Sequence, residues 1–493
     1  MTTLVQRGSS RGTRQDVRDP SPDPSTDPST PQFTSHFNAS DALMWSIEKD
    51  PCLRSTIVAV SLLDRKPDWH RLGLRIADAC ELIPRLRQRV VGTPLHLGPP
   101  RWQLDEYFDI NYHLRRTVAP EPGDLRSVLD IAGLMAMTAF DKDRPLWEFT
   151  LVEGLTDGRA AFIQKVHHSF TDGVGGLKLA QLLLDEKRNP ARRDTAPRSA
   201  DQPRVSGLTS AAESLAADVR AAAIASLRGA HALPGVAARA VTNPGGPLTT
   251  LTRELRSIGK LLAPVSKPLS PIMADRGLSR RLDSFDVALD SMLAAAHAAN
   301  STLNDAFLAS VAGGMRRYHD RHDAPVGALR VTMPINLRRP GDPPGSNRFT
   351  PARFKLPVST VDAGDRMREL GQLARDWRNE PSVKRTGVVA NVLNRLPAFA
   401  ATSLLGSMLK AIDFVATNLP GLKHRAYLAG AEVVREYAFA PPSGAAFSVS
   451  LMSHVDQCCV GINADISAVP DPEVLTTCLR EGFDEVLTVG RKP

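Results

Sequence analysis

Two adjacent histidines, followed four residues later by an aspartate and a glycine, are the residues of this sequence best suited to chemistry. They are His167 and His168, with Asp172 and Gly173. An imidazole has a pKa near ~6.5, so much of it is neutral at cellular pH and can accept a proton from a hydroxyl. Asp172 could hold the loop by accepting hydrogen bonds or by pairing with an arginine. Because two adjacent histidines are poor material for a core, we expect a functional site here.

The segments around the histidines predict the elements that position them. Residues 146–155 alternate apolar and polar side chains, which is typical of a half-buried strand. Asp157 and Gly158 favour a tight turn, and residues 160–166 predict the returning strand. Apolar residues at helical spacing over 174–184 predict a helix after the motif. The histidines are therefore expected at a strand end, where side chains can face a cleft.

The pattern of His167, His168, Asp172 and Gly173 resembles the active-site motif of the CoA-dependent acyltransferase superfamily, which includes chloramphenicol acetyltransferases and peptide-synthetase condensation domains. Further segments narrow the resemblance to the bacterial wax ester synthase/diacylglycerol acyltransferase family. They are the proline-leucine-tryptophan motif (Pro145, Leu146, Trp147), the asparagine-aspartate motif (Asn304, Asp305), residues 417–421 with Leu419 in place of the usual valine, and the C-terminal signature at 464–471. With the segment at Asp41 and Ala42, which resembles the family's N-terminal signature, these segments occur in the family's order and span nearly the whole chain.

This resemblance implies an α/β chain with two chloramphenicol acetyltransferase-like domains and an active site in a tunnel between them. Helices that alternate with strands in two comparable halves point the same way. A proline-rich start with little apolar surface predicts a disordered tail, and a shift to Pro, Arg, Asp and Ser after residue 186 predicts a boundary. We therefore predict a disordered tail (1–36), an acyltransferase domain with the histidine motif (37–186), a linker and helical crossover region (187–280) and a C-terminal acyltransferase-like domain (281–493).

The resemblance also implies an acyl-CoA-dependent O-acyltransferase that transfers a long-chain fatty acyl group to diacylglycerol, to a long-chain alcohol, or to both. A thiol has a pKa of about 8.5, far below that of an alcohol, so a thioester needs no covalent enzyme intermediate to acylate a hydroxyl. By resemblance, His168 is the general base, while His167 and Asp172 shape and hold the loop. The sequence does not identify the donors to the oxyanion, for which Gly173 and nearby amides are candidates.

Five further residues are predicted to support the site. They are Pro145, Leu146, Trp147, Asn304 and Asp305. Asp305 has a second interpretation, because Thr302 and Asp305 have the spacing of a capping box and an acid suits the positive end of a helix. Helix capping and site support are compatible, and both stay open.

Two other functions remain possible from the sequence. A condensation-like acyltransferase would use another acyl donor or acceptor, but the chain has no carrier or adenylation domain, and the motifs at 145–147 and 304–305 argue against it. A lipid-binding or scaffold paralogue of low activity would keep the fold without useful turnover. The intact histidine motif weighs against that second alternative.

Composition bounds the partners and the compartment. The net charge of +8 favours an anionic partner, such as the phosphates of CoA or an acidic membrane surface. No nucleic-acid motif is present, so no nucleic-acid partner is expected. Five cysteines have no zinc or redox spacing. We therefore expect reduced thiols, no metal, and no cofactor besides acyl-CoA as a substrate.

The expected location is the cytoplasm, in peripheral contact with a membrane or a lipid droplet. No apolar run approaches the ~18 residues of a spanning helix, and no secretory signal peptide is visible. The alanine-rich residues 208–240 predict a helix that packs between the halves or lies on a membrane. The apolar residues 388–417 could touch a membrane or line an acyl tunnel.

Overall fold

The computed structural model describes residues 37, 39–92, 100–170, 182–190, 267–336, 349–379 and 398–490. The predicted tail at 1–36, Asp172, Gly173, most of the helix predicted after them, and the region 191–266 lie outside these residues. The predicted domain boundaries therefore stay a prediction.

The described strands fall into two large sheets and one small one. Their bounds are β1 (Thr56–Leu63), β2 (Gln88–Val91), β3 (Arg101–Leu104), β4 (Leu114–Val118), β5 (Trp147–Glu153), β6 (Ala160–His167), β7 (Leu184–Asp185), β8 (Arg280–Ala288), β9 (Ala328–Asn336), β10 (Phe349–Pro357), β11 (Phe414–Leu419), β12 (Tyr427–Leu428), β13 (Ala431–Phe439), β14 (Phe447–His454) and β15 (Gln457–Asp465).

The described helices pack on these sheets. Their bounds are α1 (Ala39–Ile47), α2 (Trp69–Leu82), α3 (Ile110–His113), α4 (Leu125–Met137), α5 (Leu289–Ala298), α6 (Leu303–Arg321), α7 (Ala363–Asn379), α8 (Ala398–Lys410) and α9 (Pro472–Val489). None of these helices is long and apolar enough to cross a bilayer.

The first sheet carries the histidine strand near its centre. Its seven strands have the order β4-β5-β6-β1-β13-β12-β7. Strand β1 is antiparallel to β6 on one side and to β13 on the other. Strands β12 and β13 come from the C-terminal part of the chain, so this sheet is built from both predicted domains.

The second sheet forms the core of the C-terminal half. Its six strands have the order β10-β9-β11-β14-β15-β8, with β11 parallel to both of its neighbours and the other pairs antiparallel. Helix α6 is buried along most of its length and packs against α9. That packing is close: a Cβ at Gly482 would lie 2.3 Å from the Ser310 carbonyl oxygen. The α/β prediction is confirmed by this architecture.

The predicted hairpin before the histidines is confirmed. Strands β5 and β6 are antiparallel, with Trp147 opposite Val166. Between them, Asp157 and Gly158 have φ angles of 62° and 70°. Asp and Gly tolerate this left-handed backbone better than most residues, which explains why the turn forms at this dipeptide.

Helix α3 is a single turn, which forms because the Asp109 carboxylate caps it, accepting from the Asn111 amide at 2.9 Å. Strand β8 ends at Ala288, and Leu289 begins α5. The five cysteines are free thiols, as predicted.

Candidate active site

The two histidines are held by backbone hydrogen bonds from both sides. The His167 amide donates to the Leu146 carbonyl at 3.1 Å, and the His168 amide donates to the Ser55 carbonyl at 2.8 Å. In the ladder between β1 and β6, His167 lies opposite Thr56. The bond to Ser55 continues this register by one residue, so His168 is fixed although β6 ends at His167.

The histidine side chains lie on opposite faces of the sheet, because successive residues of a strand alternate. His167 shares its face with Lys165, and both side chains are buried. His168 shares the other face with Val166 and Gln164 and is partly exposed. One imidazole therefore belongs to the interior of the protein, and the other can meet a substrate.

Both ring nitrogens of His167 are engaged within the protein. Its Nε2 lies 2.7 Å from Glu48 Oε1, and its Nδ1 lies 2.6 Å from Ser169 Oγ. The Ser169 amide also donates to Nδ1, at 3.1 Å. Since a backbone N–H only donates, Nδ1 is the acceptor and we assign the proton to Nε2, which donates to Glu48. His167 therefore cannot take a substrate proton without breaking these bonds.

Glu48 is a site residue that the sequence did not reveal. Its Oε1 accepts from the Ser55 amide at 2.6 Å as well as from His167. Burial alone would raise the pKa of Glu48, but the His167 ring and the hydrogen bonds from His167 and Ser55 outweigh it, and the net pKa lies below its ordinary value. The Glu48 carboxylate thus links the N-terminal segment to His167 and to Ser55, whose carbonyl accepts from the His168 amide.

Replacing Glu48 with alanine is expected to destabilise the protein by about 2–3 kcal/mol, because the buried His167 Nε2–H and the Ser55 amide lose their shared acceptor. Glu48→Gln keeps an acceptor oxygen and should recover about half of that loss. Urea unfolding measures both values. Glu81→Ala is the matched control, since its carboxylate is exposed and pairs with the side chain of Arg87 at 3.1 Å. Equal stability of the Glu48→Ala and control proteins would contradict a stabilising role for the Glu48 hydrogen bonds.

A buried ion pair lies beside His167 on the same face. Lys165 Nζ is 3.2 Å from Glu148 Oε1, across the β5–β6 ladder, and 4.3 Å from the centre of the Phe140 ring. Burial lowers the pKa of the Lys165 ammonium, while Glu148 opposes that effect. The Phe140 ring also meets the His167 ring edge-on, at 6.0 Å between centroids. This packing leaves the His167 ring little freedom to turn.

The proline-leucine-tryptophan motif acts through packing and backbone. The Leu146 carbonyl holds the His167 amide, as described above. Trp147 is fully buried, donates from Nε1 to the Leu86 carbonyl at 2.8 Å, and stacks on His113 at 4.5 Å between centroids. The His113 Nδ1 lies 2.7 Å from the Trp147 carbonyl. Pro145 directly precedes this anchored pair.

The asparagine-aspartate motif caps a helix. Asp305 Oδ2 accepts from the Thr302 amide at 2.9 Å, and Thr302 Oγ1 accepts from the Asp305 amide at 3.3 Å, which confirms the capping box. In the described chain, no hydrogen bond or ion pair joins Asn304 or Asp305 to His167. Their support of the active site therefore stays a prediction.

A small cavity of about 20 Å³ lies beside the histidine strand, between the two halves. Arg54 and Thr56 line it from one half, and Arg280 and Asn463 from the other. Arg280 pairs with the fully buried Asp465 at 3.0 Å. Arg54 donates to the Met137 carbonyl and has no carboxylate partner among the described residues. This lining suits ligand oxygens, whereas no three His, Cys, Asp or Glu residues of the described ranges form a metal site.

Comparison with known families agrees with this arrangement. Residues 37–307 match the wax ester synthase/diacylglycerol acyltransferase catalytic domain, and residues 345–486 match the C-terminal domain of the same family. A Mycobacterium tuberculosis H37Rv protein, provisionally named a diacylglycerol O-acyltransferase, is 36% identical over 455 residues, which cover 92% of each chain. A second such protein from that strain is 29% identical, over 82% of this chain and 88% of its own.

Solved structures show the same fold. The wax ester synthase/diacylglycerol acyltransferase of Marinobacter aquaeolei VT8 has a TM-score of 0.62 at 21% identity, over 93% of this chain and 100% of that one. The first condensation domain of the calcium-dependent antibiotic synthetase has a TM-score of 0.57 at 13% identity, over 94% and 98% of the two chains. The likeness to both confirms the predicted acyltransferase-like fold.

Proposed function

This chain belongs to the wax ester synthase/diacylglycerol acyltransferase family and is an acyltransferase, and we propose that it moves a long-chain fatty acyl group from CoA to the hydroxyl of diacylglycerol, of a long-chain alcohol, or of both. One observation carries the catalytic part of this proposal. His167 is committed on both nitrogens to Glu48 and Ser169, whereas His168 is partly exposed.

His168 is the general base in this proposal. Its imidazole takes the proton of the acceptor hydroxyl as the oxygen attacks the thioester carbonyl carbon. The new C–O bond gives a tetrahedral oxyanion, which collapses as the C–S bond breaks. The imidazolium then returns the proton to the CoA thiolate, so proton and charge balance within one cycle. Asp172 and Gly173, in the same motif, are proposed to hold the loop and to help the oxyanion.

The test of this function uses the purified protein, radiolabelled palmitoyl-CoA, and a panel of acceptors separated by thin-layer chromatography. Labelled triacylglycerol or wax ester is the expected product. Transfer to an amine instead of a hydroxyl would favour the condensation-like alternative. Binding of labelled palmitoyl-CoA or diacylglycerol with no product at all would favour a lipid-binding paralogue and overturn the proposed activity.

We further propose that the protein works in the cytoplasm at the surface of a membrane or lipid droplet, where its acceptors and products reside. The +8 net charge should bring it to anionic headgroups, and salt should screen that attraction. Co-sedimentation with vesicles of neutral or anionic phospholipid should show binding to the anionic vesicles that weakens at high salt. Salt-resistant binding would assign the contact to apolar insertion, and absence from both pellets would refute peripheral attachment.

A further inference from the structure

His168 lies at the corner of a tight turn. The Phe170 amide donates to the His167 carbonyl at 2.9 Å, which closes a four-residue turn with His168 and Ser169 at its centre. Strand β6 ends at His167, so this turn rather than the sheet determines the backbone that follows. The direction of the His168 imidazole therefore depends on the φ and ψ angles of the turn.

The His167 side chain closes a second ring across the same residue. Its Nδ1 accepts from the Ser169 amide at 3.1 Å and from the Ser169 hydroxyl at 2.6 Å. The ring closed by the amide bond contains the N–Cα and Cα–C bonds of His168, which are the two bonds that φ and ψ describe. A side chain that bonds the amide two residues further on fixes a turn in this way. These two hydrogen bonds form a bridge from His167 to Ser169 across His168.

The bridge is anchored at its far end by Glu48. The Glu48 Oε1 accepts from His167 Nε2 at 2.7 Å and from the Ser55 amide at 2.6 Å. The Ser55 carbonyl in turn accepts from the His168 amide at 2.8 Å. The chain before His168 and the chain after it are therefore tied to one carboxylate, the first through Ser55 and the second through the imidazole of His167.

The bridge lies away from solvent. His167 and Ser169 are 1% and 3% exposed, and Trp45 and Phe140 meet the His167 ring edge-on, at 5.5 and 6.0 Å between centroids. Hydrogen bonds in such surroundings are stronger than in water, since no solvent competes for the donor and the acceptor. Because the Ser169 hydroxyl is buried and already bonded to His167, it acts on the reaction through the turn and not by touching a substrate.

We propose, on the basis of the general-base role of His168 above, that Ser169 is a positioning residue for acyl transfer, with Glu48 as its anchor. The Ser169 amide and hydroxyl hold the turn through His167, and the turn holds the His168 imidazole towards the acceptor hydroxyl. Loss of the Ser169 hydroxyl lets the imidazole sample other directions. That loss slows proton transfer, because a small misplacement of the base lowers the rate, and it leaves the binding of acyl-CoA unchanged.

The experiment compares Ser169→Ala and Ser169→Thr with wild type, with palmitoyl-CoA as the donor and one fixed acceptor. In Ser169→Ala the kcat should fall by about threefold to tenfold, as the loss of one buried hydrogen bond implies, while the KM for palmitoyl-CoA changes by less than about twofold. Ser169→Thr keeps the hydroxyl and should restore kcat. Ser310→Ala is the matched control, because Ser310 is a fully buried serine that bonds the Ala306 carbonyl within α6 at 2.9 Å, and it should change neither value.

A second comparison shows whether Ser169 acts through His168. When Ser169→Ala is added to His168→Ala, the residual rate should not fall further, because no imidazole is left to position. A general loss of structure would instead lower the rate by the same factor with and without His168. Equal factors in the two backgrounds, or a wild-type kcat in Ser169→Ala, would overturn the proposal.

The role of Ser169 and the proposed function fail separately. If the wild type transfers acyl groups and Ser169→Ala transfers them equally well, the positioning role is rejected while the acyltransferase activity stands. If the wild type transfers none, hydrogen–deuterium exchange of the backbone amides at 167–170 decides. Exchange that is about fivefold faster in Ser169→Ala than in wild type and Ser169→Thr would support the bridge without the activity, and equal exchange would reject it.

Discussion

Replacing His168 with alanine is expected to lower the rate of acyl transfer by about 10²–10⁴-fold while the protein keeps its fold. The loss follows from removing the only proton acceptor that the proposed mechanism uses. The fold should survive because His168 is partly exposed and its position depends on the backbone bond to Ser55, which alanine also makes.

Initial rates with labelled palmitoyl-CoA and melting temperatures should be measured together. His70→Ala is the matched control, since His70 is an exposed histidine on α2 and should change neither quantity. His167→Ala should lower both the rate and the melting temperature, because the buried Glu48 carboxylate loses its hydrogen bond from His167. Near wild-type turnover by His168→Ala would exclude it as the general base.

Replacing Glu436 with glutamine is expected to stabilise the protein by roughly 3 kcal/mol at pH 8 and to change its stability little at pH 4.5. Burial raises the pKa of Glu436 from 4.5 to about 7. The folded protein therefore keeps a proton between these values that the unfolded chain releases. The contribution of Glu436 to the stability of the wild type therefore falls as the pH rises from 4.5 to 7 and is constant above pH 7. Glutamine has no proton to lose, so the variant does not show this fall.

Urea unfolding of wild type and Glu436→Gln across pH 4.5 to 8 measures this difference. Glu106→Gln, at an exposed position, is the control and should show no pH-dependent gain. A constant offset between Glu436→Gln and wild type over the whole range would mean that Glu436 ionises in the folded protein as it does in water.

Local elements were predictable because their signals are local. The alternation around Trp147 and the Asp157–Gly158 turn predicted the hairpin that carries the histidines. The Thr302–Asp305 spacing predicted the capped start of α6. Helix α5 has no such signal, because no side chain caps it at Ala288.

The buried acids that the sequence missed depend on contacts between distant segments. Glu48 meets His167 across 119 positions of the chain, and no periodicity connects them. Glu436 looks like an ordinary polar residue in an alternating strand. It becomes a buried acid because β13 pairs with β1, inside a sheet assembled from both ends of the chain. The pairing register of β13 with β1 is set by tertiary packing, which a single sequence does not reveal.

Release of free CoA, measured with and without an acceptor alcohol, tests the central claim of direct transfer from thioester to hydroxyl. With acceptor present, CoA should appear in equal amount to the ester formed, and without acceptor its release should be negligible. A burst of CoA equal to the enzyme concentration in the absence of acceptor would reveal a covalent acyl-enzyme. That result would contradict a mechanism in which His168 serves only as a base.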